Sequence, residues 1–446
     1  MSTSSASSNA PSTEADRAPL RIAIAGLGTV GAGVIRLLET NADLIAARAG
    51  RPIEVVAVSA RARSKDRGID ISAFAWEDDM TRLAERDDVD VVVELVGGSD
   101  GPALALSRTA LAQGKGLVTA NKAMIAHHGL ELAQAAESGN SPLKFEAAVA
   151  GGIPVVKGLR EGTSANALTK VYGILNGTCN YILSEMEQTG ADFAETLEAA
   201  QKLGYAEADP TFDIEGVDAA HKLAILATIG FGVRLDFDNV RTTGIVAVRA
   251  ADIAQADALG FVIRLVAEAD VQDGQLLQRV RPRLVAKDHP LSGVDGPTNA
   301  VVAEGNFSGR LLFQGAGAGD GPTASAVVAD LIDIARRETG APFSIPVAEL
   351  AALGPADSGA RMERTYLRFT VKDRPGVLAE ITAAMRDADV SIESLIQQGR
   401  ERSGGEVLVA MVTHEGPEAN IAKALALLEG SDSLTGQPLV LPILPN

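Results

Sequence analysis

The sequence predicts an α/β domain with a parallel sheet, then an α+β domain, then a small domain of βαββαβ order. Three observations support this prediction. A short apolar run, 21–25, leads directly into a glycine-rich turn and a helical pattern. Strand-like and helix-like patterns alternate after it, which is typical of a parallel sheet with helices on both faces. The segment 366–444 shows strand, helix, strand, strand, helix and strand, which is the ferredoxin-like order.

Apolar periodicity predicts the elements of each domain. In the first domain we predict, after the strand 21–25, a helix over 32–39 and strands over 53–58, 89–96, 117–120 and 143–149. In the second domain we predict a strand over 171–175 and helices over 193–203, 217–231 and 324–337. In the third domain we predict strands over 366–371, 390–397, 406–412 and 439–444, and helices over 376–388 and 418–428.

Composition shifts set the predicted domain boundaries. Residues 1–18 are rich in Ser, Ala, Thr and Pro and are predicted to be a disordered tail. The α/β domain is predicted over 19–145 and the α+β domain over 146–340. Several Pro and Gly residues in 341–364 predict a linker, which leaves 365–446 for the C-terminal domain.

Length and charge limit the classes of function. The 446 residues predict about three domains, at roughly 150 residues each. The net charge of −18 argues against a general nucleic-acid or anionic-membrane binder, because both need a basic face. The one cysteine, Cys179, excludes an internal disulfide framework and fits a reducing compartment. The sequence has no signal-peptide pattern and no apolar run of about 18 residues, so we expect a cytoplasmic protein.

The glycine-rich turn predicts what the first domain binds. Gly26 allows a tight turn, Gly28 lets the backbone approach a pyrophosphate, and Gly31 lets the following helix pack closely. The main-chain N–H groups at Thr29 and Val30 open that helix, where phosphate groups bind. The pattern therefore predicts a Rossmann-type domain that binds a dinucleotide. The alternative is a tight turn without a ligand.

The loop after the second strand bears on the choice of cofactor. A carboxylate that would hold the adenosine ribose is expected there, but the sequence reads Ser-Ala-Arg61. Arg61, Arg63 and Lys65 supply positive charge for a 2′-phosphate, which favours NADP, or use of both cofactors, over strict NAD. A solvated basic loop is the alternative.

Two further segments carry candidate polar groups of the site. Asn121 and Lys122 follow a predicted strand, at the end of a parallel sheet where ligands usually bind. In the acidic stretch 204–222, Asp218 and Lys222 are four residues apart and share one helical face. The rest of that helix is almost entirely apolar, so burial is expected to desolvate the pair. The alternative is a solvated helix-start carboxylate with an ordinary ion pair.

Two other features allow more than one interpretation. Cys179 lies among small polar residues and would be a nucleophile toward an aldehyde if a base activated it, although most single cysteines are inert packing residues. Asp373 and Gly376 lie in the turn between the first strand and helix of the C-terminal domain. That turn leaves a helix N-terminus open to a small carboxylate, or is simply a capped turn.

Six motifs, in order, resemble those of the homoserine dehydrogenase family. They occupy 26–31, 119–122, 146–154, 175–183, 204–222 and 322–326, and the similarity runs from about residue 20 to 345. The last part of the chain resembles an ACT domain, a fold that often binds amino acids as regulators. Cys179 stands where the family commonly has Thr, which makes a catalytic role for the thiol less favourable.

This resemblance implies the NAD(P)-dependent, reversible reduction of L-aspartate 4-semialdehyde to L-homoserine, on the route to threonine and methionine. It implies that 146–340 is the catalytic and dimerisation domain. The implied roles are as follows: catalysis by Lys122, Lys222 and Asp218; substrate binding by Glu207 and Asp213; approach to the nicotinamide by Gly317; and an alkali cation (Na or K) at Glu146 and at the carbonyls of Val149, Gly151 and Ile153.

The resemblance also implies regulation and assembly. The ACT-like domain implies feedback control by L-threonine. The family is expected to form homodimers, with a homotetramer as the alternative. The chain begins almost at the nucleotide fold, so no fused aspartate kinase is expected. Two other functions stay open. One is a semialdehyde dehydrogenase that uses Cys179 as its nucleophile and forms an acyl phosphate. The other is an amino-acid or redox sensor that kept both binding folds and lost its catalytic activity.

Overall fold

The structure is a computed structural model that describes residues 18–398 and 405–445. Its strands are β1 (Leu20–Ala25), β2 (Ile53–Ser59), β3 (Ala75–Trp76), β4 (Val91–Glu94), β5 (Gly116–Thr119), β6 (Leu143–Lys144), β7 (Leu168–Ile174), β8 (Arg241–Thr242), β9 (Phe261–Gln272), β10 (Gln275–Ala286), β11 (Thr298–Gly305), β12 (Gly309–Ala316), β13 (Gly354–Pro355), β14 (Met362–Glu363), β15 (Thr365–Lys372), β16 (Ile392–Gln398), β17 (Glu406–Thr413), β18 (Gly416–Pro417) and β19 (Leu439–Pro442). Its α-helices are α1 (Thr29–Thr40), α2 (Ala42–Ala49), α3 (Pro102–Ala112), α4 (Lys122–Gly139), α5 (Val155–Lys157), α6 (Gly177–Thr189), α7 (Phe193–Leu203), α8 (Thr211–Ile214), α9 (Val217–Phe231), α10 (Ala250–Ala258), α11 (Asp320–Arg336), α12 (Val377–Asp387) and α13 (Glu418–Leu427). The predicted tail, 1–18, lies outside the described residues except for Ala18.

The first compact unit takes in the described residues up to Glu161 together with Ala318–Leu350. Its six strands form a parallel sheet in the order β3-β2-β1-β4-β5-β6. This is the order of a Rossmann-type nucleotide-binding fold, so the predicted fold class is confirmed. Strands β1 and β4 are buried along their whole central length, as expected for a parallel sheet covered on both faces.

Helix α11 also belongs to this first unit, although the predicted boundaries placed its sequence in the second domain. It packs against α1, where a Cβ atom at Gly33 would lie 3.0 Å from the main-chain oxygen of Asp320. Ala324, Val327 and Leu331 complete the contact from the side of α11 and are fully buried. The lack of a side chain at Gly33 therefore lets α11 pack closely on α1. The two helices are far apart in the chain, so no local pattern predicts this contact.

The second compact unit takes in Gly162–Gly317 and the described residues from Ala351 onward. Its main sheet has the order β12-β11-β7-β9-β10-β13, and the pairs from β12 to β10 are antiparallel. Helix α9 is buried from Asp218 through Ile229. This burial agrees with the nearly continuous apolar sequence that predicted a core helix.

The C-terminal domain, within the second unit, is a four-stranded antiparallel sheet with two helices. The strand order is β16-β17-β15-β19. The alternate residues Leu367, Phe369 and Val371 of β15 form the core with α12 and α13. The predicted βαββαβ arrangement is confirmed.

One predicted strand of the first domain is wrong over most of its length. The strand expected over 143–149 ends at Lys144 and is followed by a 3₁₀ turn over Glu146–Ala148. The apolar run continues because this loop is buried, not because it is extended: Val149, Ala150 and Ile153 are at most 2% exposed. Within the described residues, no helix has the length and apolar character needed to cross a membrane.

Candidate active site

The glycine-rich turn lies at the point where the strand order of the parallel sheet reverses, between β1 and β4. Gly26 has φ +99°, and a Cβ atom there would lie 2.6 Å from the main-chain oxygen of Leu95. A Cβ atom at Gly31 would lie 2.1 Å from the oxygen of Gly26. Only glycine fits at either position, so the turn is as tight as the motif predicts.

Gly28 differs from the other two glycines because a Cβ atom there would meet nothing within 4 Å. It is the N-cap of α1, no side chain caps that end of the helix, and no acidic residue lies in the first turn. The first N–H groups of α1 therefore have no side-chain cap and lie at the positive end of the helix dipole. The turn fits a dinucleotide pyrophosphate, which needs close approach to the backbone at this position.

The loop after β2 is held by an arginine that sequence reasoning did not single out. Arg67 donates hydrogen bonds from its side chain to the main-chain oxygens of Leu27 and Lys65, at 2.9 and 2.6 Å. Arg61, Arg63 and Lys65 are exposed. The loop thus presents three cations while Arg67 fixes it to the glycine-rich turn.

A buried hydrogen-bond network lies at the carboxyl ends of β4 and β5. Glu94 is fully buried and accepts a hydrogen bond from the hydroxyl of Thr119 at 2.6 Å and from the main-chain N–H of Val96 at 2.7 Å. Asn121 donates from its amide to the oxygen of Gly98 and caps α4, whose first residue is the half-buried Lys122. Glu94 was missed in the sequence, although a lone carboxylate in the run Val-Val-Val-Glu was the available signal.

In the second unit, Lys222 and Asp218 form a buried pair on α9. The ammonium of Lys222 donates to the Asp218 carboxylate and to the main-chain oxygen of Leu175, both at 2.7 Å. Asp218 is 3% exposed and Lys222 is 8% exposed. The pairing on one helical face, predicted from the spacing of four, is observed.

Asn176 joins this pair to a third site residue. Its side-chain amide donates to the carboxylates of Asp213 and Asp218, at 2.7 and 2.8 Å. Its side-chain oxygen accepts from the N–H of Cys179 and so caps α6. The structure therefore brings together Asp213, Asp218 and Lys222. Sequence reasoning missed Asn176, although its place at the start of a helix was a capping signal.

Glu207 takes no part in that buried arrangement. Its side chain is exposed, and its main-chain oxygen accepts a hydrogen bond from Gln201 at 3.0 Å. It lies in the loop between α7 and α8. The side chain of Glu207 thus makes no direct bond to Asp218 or Lys222, and its predicted role in substrate binding stays a prediction.

The environment of Cys179 disfavours a nucleophilic thiol. The side chain is fully buried, and its Sγ donates to the main-chain oxygen of Asp213 at 3.1 Å. Burial, followed by the negative charge of Asp213, raises the pKa of the thiol well above its usual value. The reactive form of cysteine is the thiolate, so this setting is that of an inert packing residue.

The segment predicted to hold an alkali cation forms a tight buried loop. Both carboxylate oxygens of Glu146 accept main-chain hydrogen bonds, from Val156 at 2.9 Å and from Lys157 at 2.8 Å. Burial and then the nearby Asp330 raise the pKa of Glu146 to about 7. Ala150 and Gly151 both have positive φ, which folds the loop sharply. Glu146 is therefore a buried carboxylate held by main-chain N–H groups, and carboxylate oxygens are among the donors that hard cations prefer.

Gly317 follows β12, and the packing around it explains why a glycine stands at this position. A Cβ atom at this position would lie 1.5 Å from the side-chain oxygen of Asn299. Asn299 is 1% exposed. The glycine is therefore needed to accommodate Asn299, independently of any cofactor.

The predicted regulatory turn lines a cavity of about 380 Å³. Gly376 has φ +97° and is the N-cap of α12, with no side-chain cap. The cavity is lined by residues of the turn and by neighbouring strands: Val371, Lys372, Asp373, Arg374, Pro375, Gly376, Val377, Leu378, Gln397 and Val409. Both predicted regulatory residues, Asp373 and Gly376, therefore line one cavity.

Comparison with known proteins covers each of these parts. The NAD-binding-domain model of homoserine dehydrogenase matches residues 26–146, the homoserine dehydrogenase model matches 154–332, and the ACT-domain model matches 365–429. A homoserine dehydrogenase of Pseudomonas aeruginosa is 45% identical over 425 residues, which are 94% of this chain and 97% of that protein. The chain belongs to the homoserine dehydrogenase family. It is thus an oxidoreductase that uses a nicotinamide nucleotide, with an ACT domain at its C-terminal end.

Solved structures of homoserine dehydrogenases agree with this assignment. The crystal structure of the enzyme from Thiobacillus denitrificans has 40% sequence identity and a TM-score of 0.89, and covers 96% of this chain and 99% of that chain. A hyperthermophilic archaeal homoserine dehydrogenase in complex with NADPH has 26% identity and a TM-score of 0.63 over 73% of this chain and 100% of that chain. The family's fold therefore extends over nearly the whole of this chain.

Proposed function

We propose that the chain catalyses the reversible interconversion of L-aspartate 4-semialdehyde and L-homoserine, on the route to threonine and methionine. The observation that carries this proposal is the buried Lys222, held between the carboxylate of Asp218 and the oxygen of Leu175. Reduction of an aldehyde leaves an anionic oxygen that must receive a proton. An ammonium group fixed in a desolvated setting is suited to that transfer.

Each step of the chemistry is assigned to residues of this chain. A nicotinamide nucleotide supplies the hydride for reduction and accepts it in the reverse direction. Lys222 gives the proton to the carbonyl oxygen and takes it back from the hydroxyl of homoserine. Asp218 and Asn176 hold Lys222 and Asp213 in place, so that the reacting groups meet in one orientation. Lys122 is the second catalytic lysine in this proposal.

The acidic residues suit the ammonium group that both substrates carry. Asp213 is half-buried and held by Asn176, and Glu207 is exposed at the preceding loop. We propose that Asp213 binds the substrate near its amino and hydroxyl groups. Glu207 binds the ammonium group once substrate is present. The contact of Glu207 would form on binding, because the carboxylate is exposed in the free chain.

The nucleotide is assigned to the turn from Gly26 to Gly31, with N–H groups at Gly28, Thr29 and Val30 facing the pyrophosphate. Gly317 is assigned to the nicotinamide end. Arg61 and Lys65 favour NADP over NAD by their charge near the adenosine ribose, and a relative has been solved with NADPH. Replacing both cations by alanine should raise the KM for NADP tenfold or more and leave the KM for NAD unchanged.

We also propose a bound cation, an effector site and a cellular location for this chain. An alkali cation, Na or K, is assigned to Glu146, a buried carboxylate, and to the carbonyls of Val149, Gly151 and Ile153. L-Threonine is assigned to the cavity at Asp373 and Gly376 as a feedback effector. The cytoplasm is the assigned location.

We also propose a homodimer or homotetramer. Strand β12 is a sheet edge with exposed residues, and Phe307 in the preceding hairpin turn is 88% exposed. Exposed edges and aromatic side chains favour association. Molar mass in solution, measured by light scattering, tests this assignment directly.

The central assignment is tested by incubating the chain with L-homoserine and either NADP or NAD. Formation of the reduced nucleotide, followed by its absorbance, is the expected result. Product analysis should identify aspartate 4-semialdehyde. Absence of reduction with either nucleotide, in the presence of Na or K, would contradict the proposed function.

A further inference from the structure

The segment 241–249 lies directly beside the turn that carries the substrate-site carboxylates. The main-chain N–H of Ile245 donates to the oxygen of Ile214 at 3.0 Å. A Cβ atom at Gly244 would lie 2.5 Å from that same oxygen, so the two backbones are in close contact. Ile214 directly follows Asp213 and lies four residues before Asp218. The position of 241–249 therefore limits where that turn can be.

The ACT domain binds the same segment through Arg368 of β15. The guanidinium donates to the main-chain oxygen of Ala247 at 2.9 Å and to the carboxylate of Asp252 at 2.8 Å. Asp252 in turn accepts from the N–H of Arg249 at 2.9 Å and from the hydroxyl of Tyr366 at 3.1 Å. Arg368 is 3% exposed and Asp252 is fully buried. Water does not compete for these bonds, so they fix the segment firmly.

Strand β15 also leads to the proposed effector cavity. Val371 and Lys372, at its end, line that cavity together with Asp373. Arg368 is three residues before Val371 on the same strand. If a ligand in the cavity shifts this strand, Arg368 moves with it and so does its hydrogen bond to Ala247.

We propose that Arg368 is a positioning residue for the substrate site. It holds the segment 241–249 against the Asp213–Ile214 turn and so sets the affinity for the amino-acid substrate from within the ACT domain. An effector in the cavity at Asp373 acts through the same guanidinium. The inference rests on the proposed function in two respects, namely that the turn at Asp213 binds homoserine and that L-threonine binds in the cavity at Asp373.

The test compares two variants that differ only at this residue. Asp252→Asn keeps the bond from Arg368 to Ala247 but removes the counter-charge of the buried guanidinium and one acceptor oxygen, so it is compared with the wild type first and then serves as the reference. Arg368→Met in the Asp252→Asn background removes the bond to Ala247 without leaving a buried charge unpaired. Arg368→Lys in the wild-type chain is a second variant, which keeps the charge beside Asp252 and gives up the planar second donor.

Three readouts are measured for each variant. Relative to Asp252→Asn, the double variant should raise the KM for homoserine at least roughly fivefold, with kcat and the KM for nucleotide within twofold. Hydrogen exchange of peptides covering 241–249 should become faster. L-Threonine should still bind, as measured by calorimetry, but should no longer change the KM for homoserine. Arg368→Lys should move all three readouts in the same direction.

The outcomes separate the inference from the proposed function. Equal KM, equal exchange over 241–249 and an equal threonine response in the double variant and Asp252→Asn would overturn the role of Arg368. A wild-type chain that does not oxidise homoserine would overturn the proposed function instead. In that case hydrogen exchange still decides whether Arg368 fixes the segment, because it needs no substrate. If the double variant does not fold, Arg368→Lys decides by the same readouts.

Discussion

The carboxylate of Asp218 and the ammonium of Lys222 lie 2.7 Å apart on successive turns of one buried helix. Such a pair is stable when desolvated only if each member is held by further hydrogen bonds. Leu175 provides one for the lysine and Asn176 one for the aspartate. The pair is therefore fixed before substrate arrives, as a preorganised proton donor requires.

Asp218→Asn removes the negative charge of this pair and keeps the shape of the side chain. The amide can still accept from Asn176 and Lys222, but the negative charge that positions the ammonium is lost. We expect kcat to fall about 100-fold, with little change in affinity for the nucleotide. Steady-state kinetics in both directions, with cofactor binding followed by fluorescence, measures both quantities. A kcat within a factor of two of wild type would remove Asp218 from the proton-transfer arrangement.

Cys179→Ala should leave turnover close to that of the wild type. The thiol is buried and its pKa is raised by burial, so it contributes packing and not a nucleophile. Activity should not depend on phosphate, and a thiol reagent should label the chain only after unfolding. Loss of activity with a phosphate requirement in the wild type would instead support an acyl-phosphate mechanism.

Two of the three glycines of the nucleotide turn, Gly28 and Gly31, should respond differently to an added methyl group. Gly31→Ala should destabilise the fold by about 1–3 kcal/mol, because the new Cβ atom meets the Gly26 oxygen. Gly28→Ala should fold normally, since its Cβ atom has open space, and should weaken nucleotide binding by obstructing the pyrophosphate. Thermal unfolding and nucleotide titration of both variants test this contrast. Equal nucleotide affinity in Gly28→Ala and wild type would contradict the assigned phosphate position.

Glu268 is one of two buried carboxylates, with Glu363, in an ionic cluster of arginines, and it should be important for stability. It is fully buried and accepts hydrogen bonds from Arg279 and Arg283. Glu268→Gln removes one of the two buried carboxylates, with Glu363, that pair with these arginines, and should cost about 3–5 kcal/mol at neutral pH. The matched control is Glu198→Gln, in an exposed helical ion pair with Lys202, which should show no measurable change.

The same residue predicts how stability changes with pH. Despite the opposing effect of burial, Arg283 and Arg279 hold the pKa of Glu268 well below its ordinary value of 4.5. Its contribution is therefore complete above pH 4.5 and is lost as the pH falls from there through the lowered folded pKa. Denaturant unfolding of the wild type and Glu268→Gln at several pH values should show curves that converge in acid. A constant difference between the two proteins down to the lowest pH would contradict this assignment.

Local sequence predicted the elements whose ends are fixed by nearby residues. Helix α9 has the predicted bounds, 217–231, because Gly216 and Gly232 flank it in left-handed conformations. The strand over 143–149 was wrong because the carboxylate of Glu146 accepts hydrogen bonds from N–H groups ten and eleven residues later in the chain, which no local pattern reveals. The packing of α11 on α1 was missed for the same reason.

The candidate site was predictable in part. The pair Asp218 and Lys222 could be found from its spacing and the apolar helix around it. Asn176 could not, because its partners lie 37 and 42 residues away and its own sequence signal indicates only a helix cap. Arg368 lies still further from the residues it contacts, in a different domain of the sequence, so only the three-dimensional arrangement points to it.

The most direct test is the turnover of Lys222→Met with L-homoserine and NADP, measured beside the wild type under identical conditions. Methionine fills the space of the lysine stem and removes the proton donor. We predict a fall in kcat of about 100-fold to 10,000-fold, with nucleotide affinity unchanged. A variant that turns over at nearly the wild-type rate would contradict the role of Lys222 as the group that exchanges a proton with the substrate oxygen.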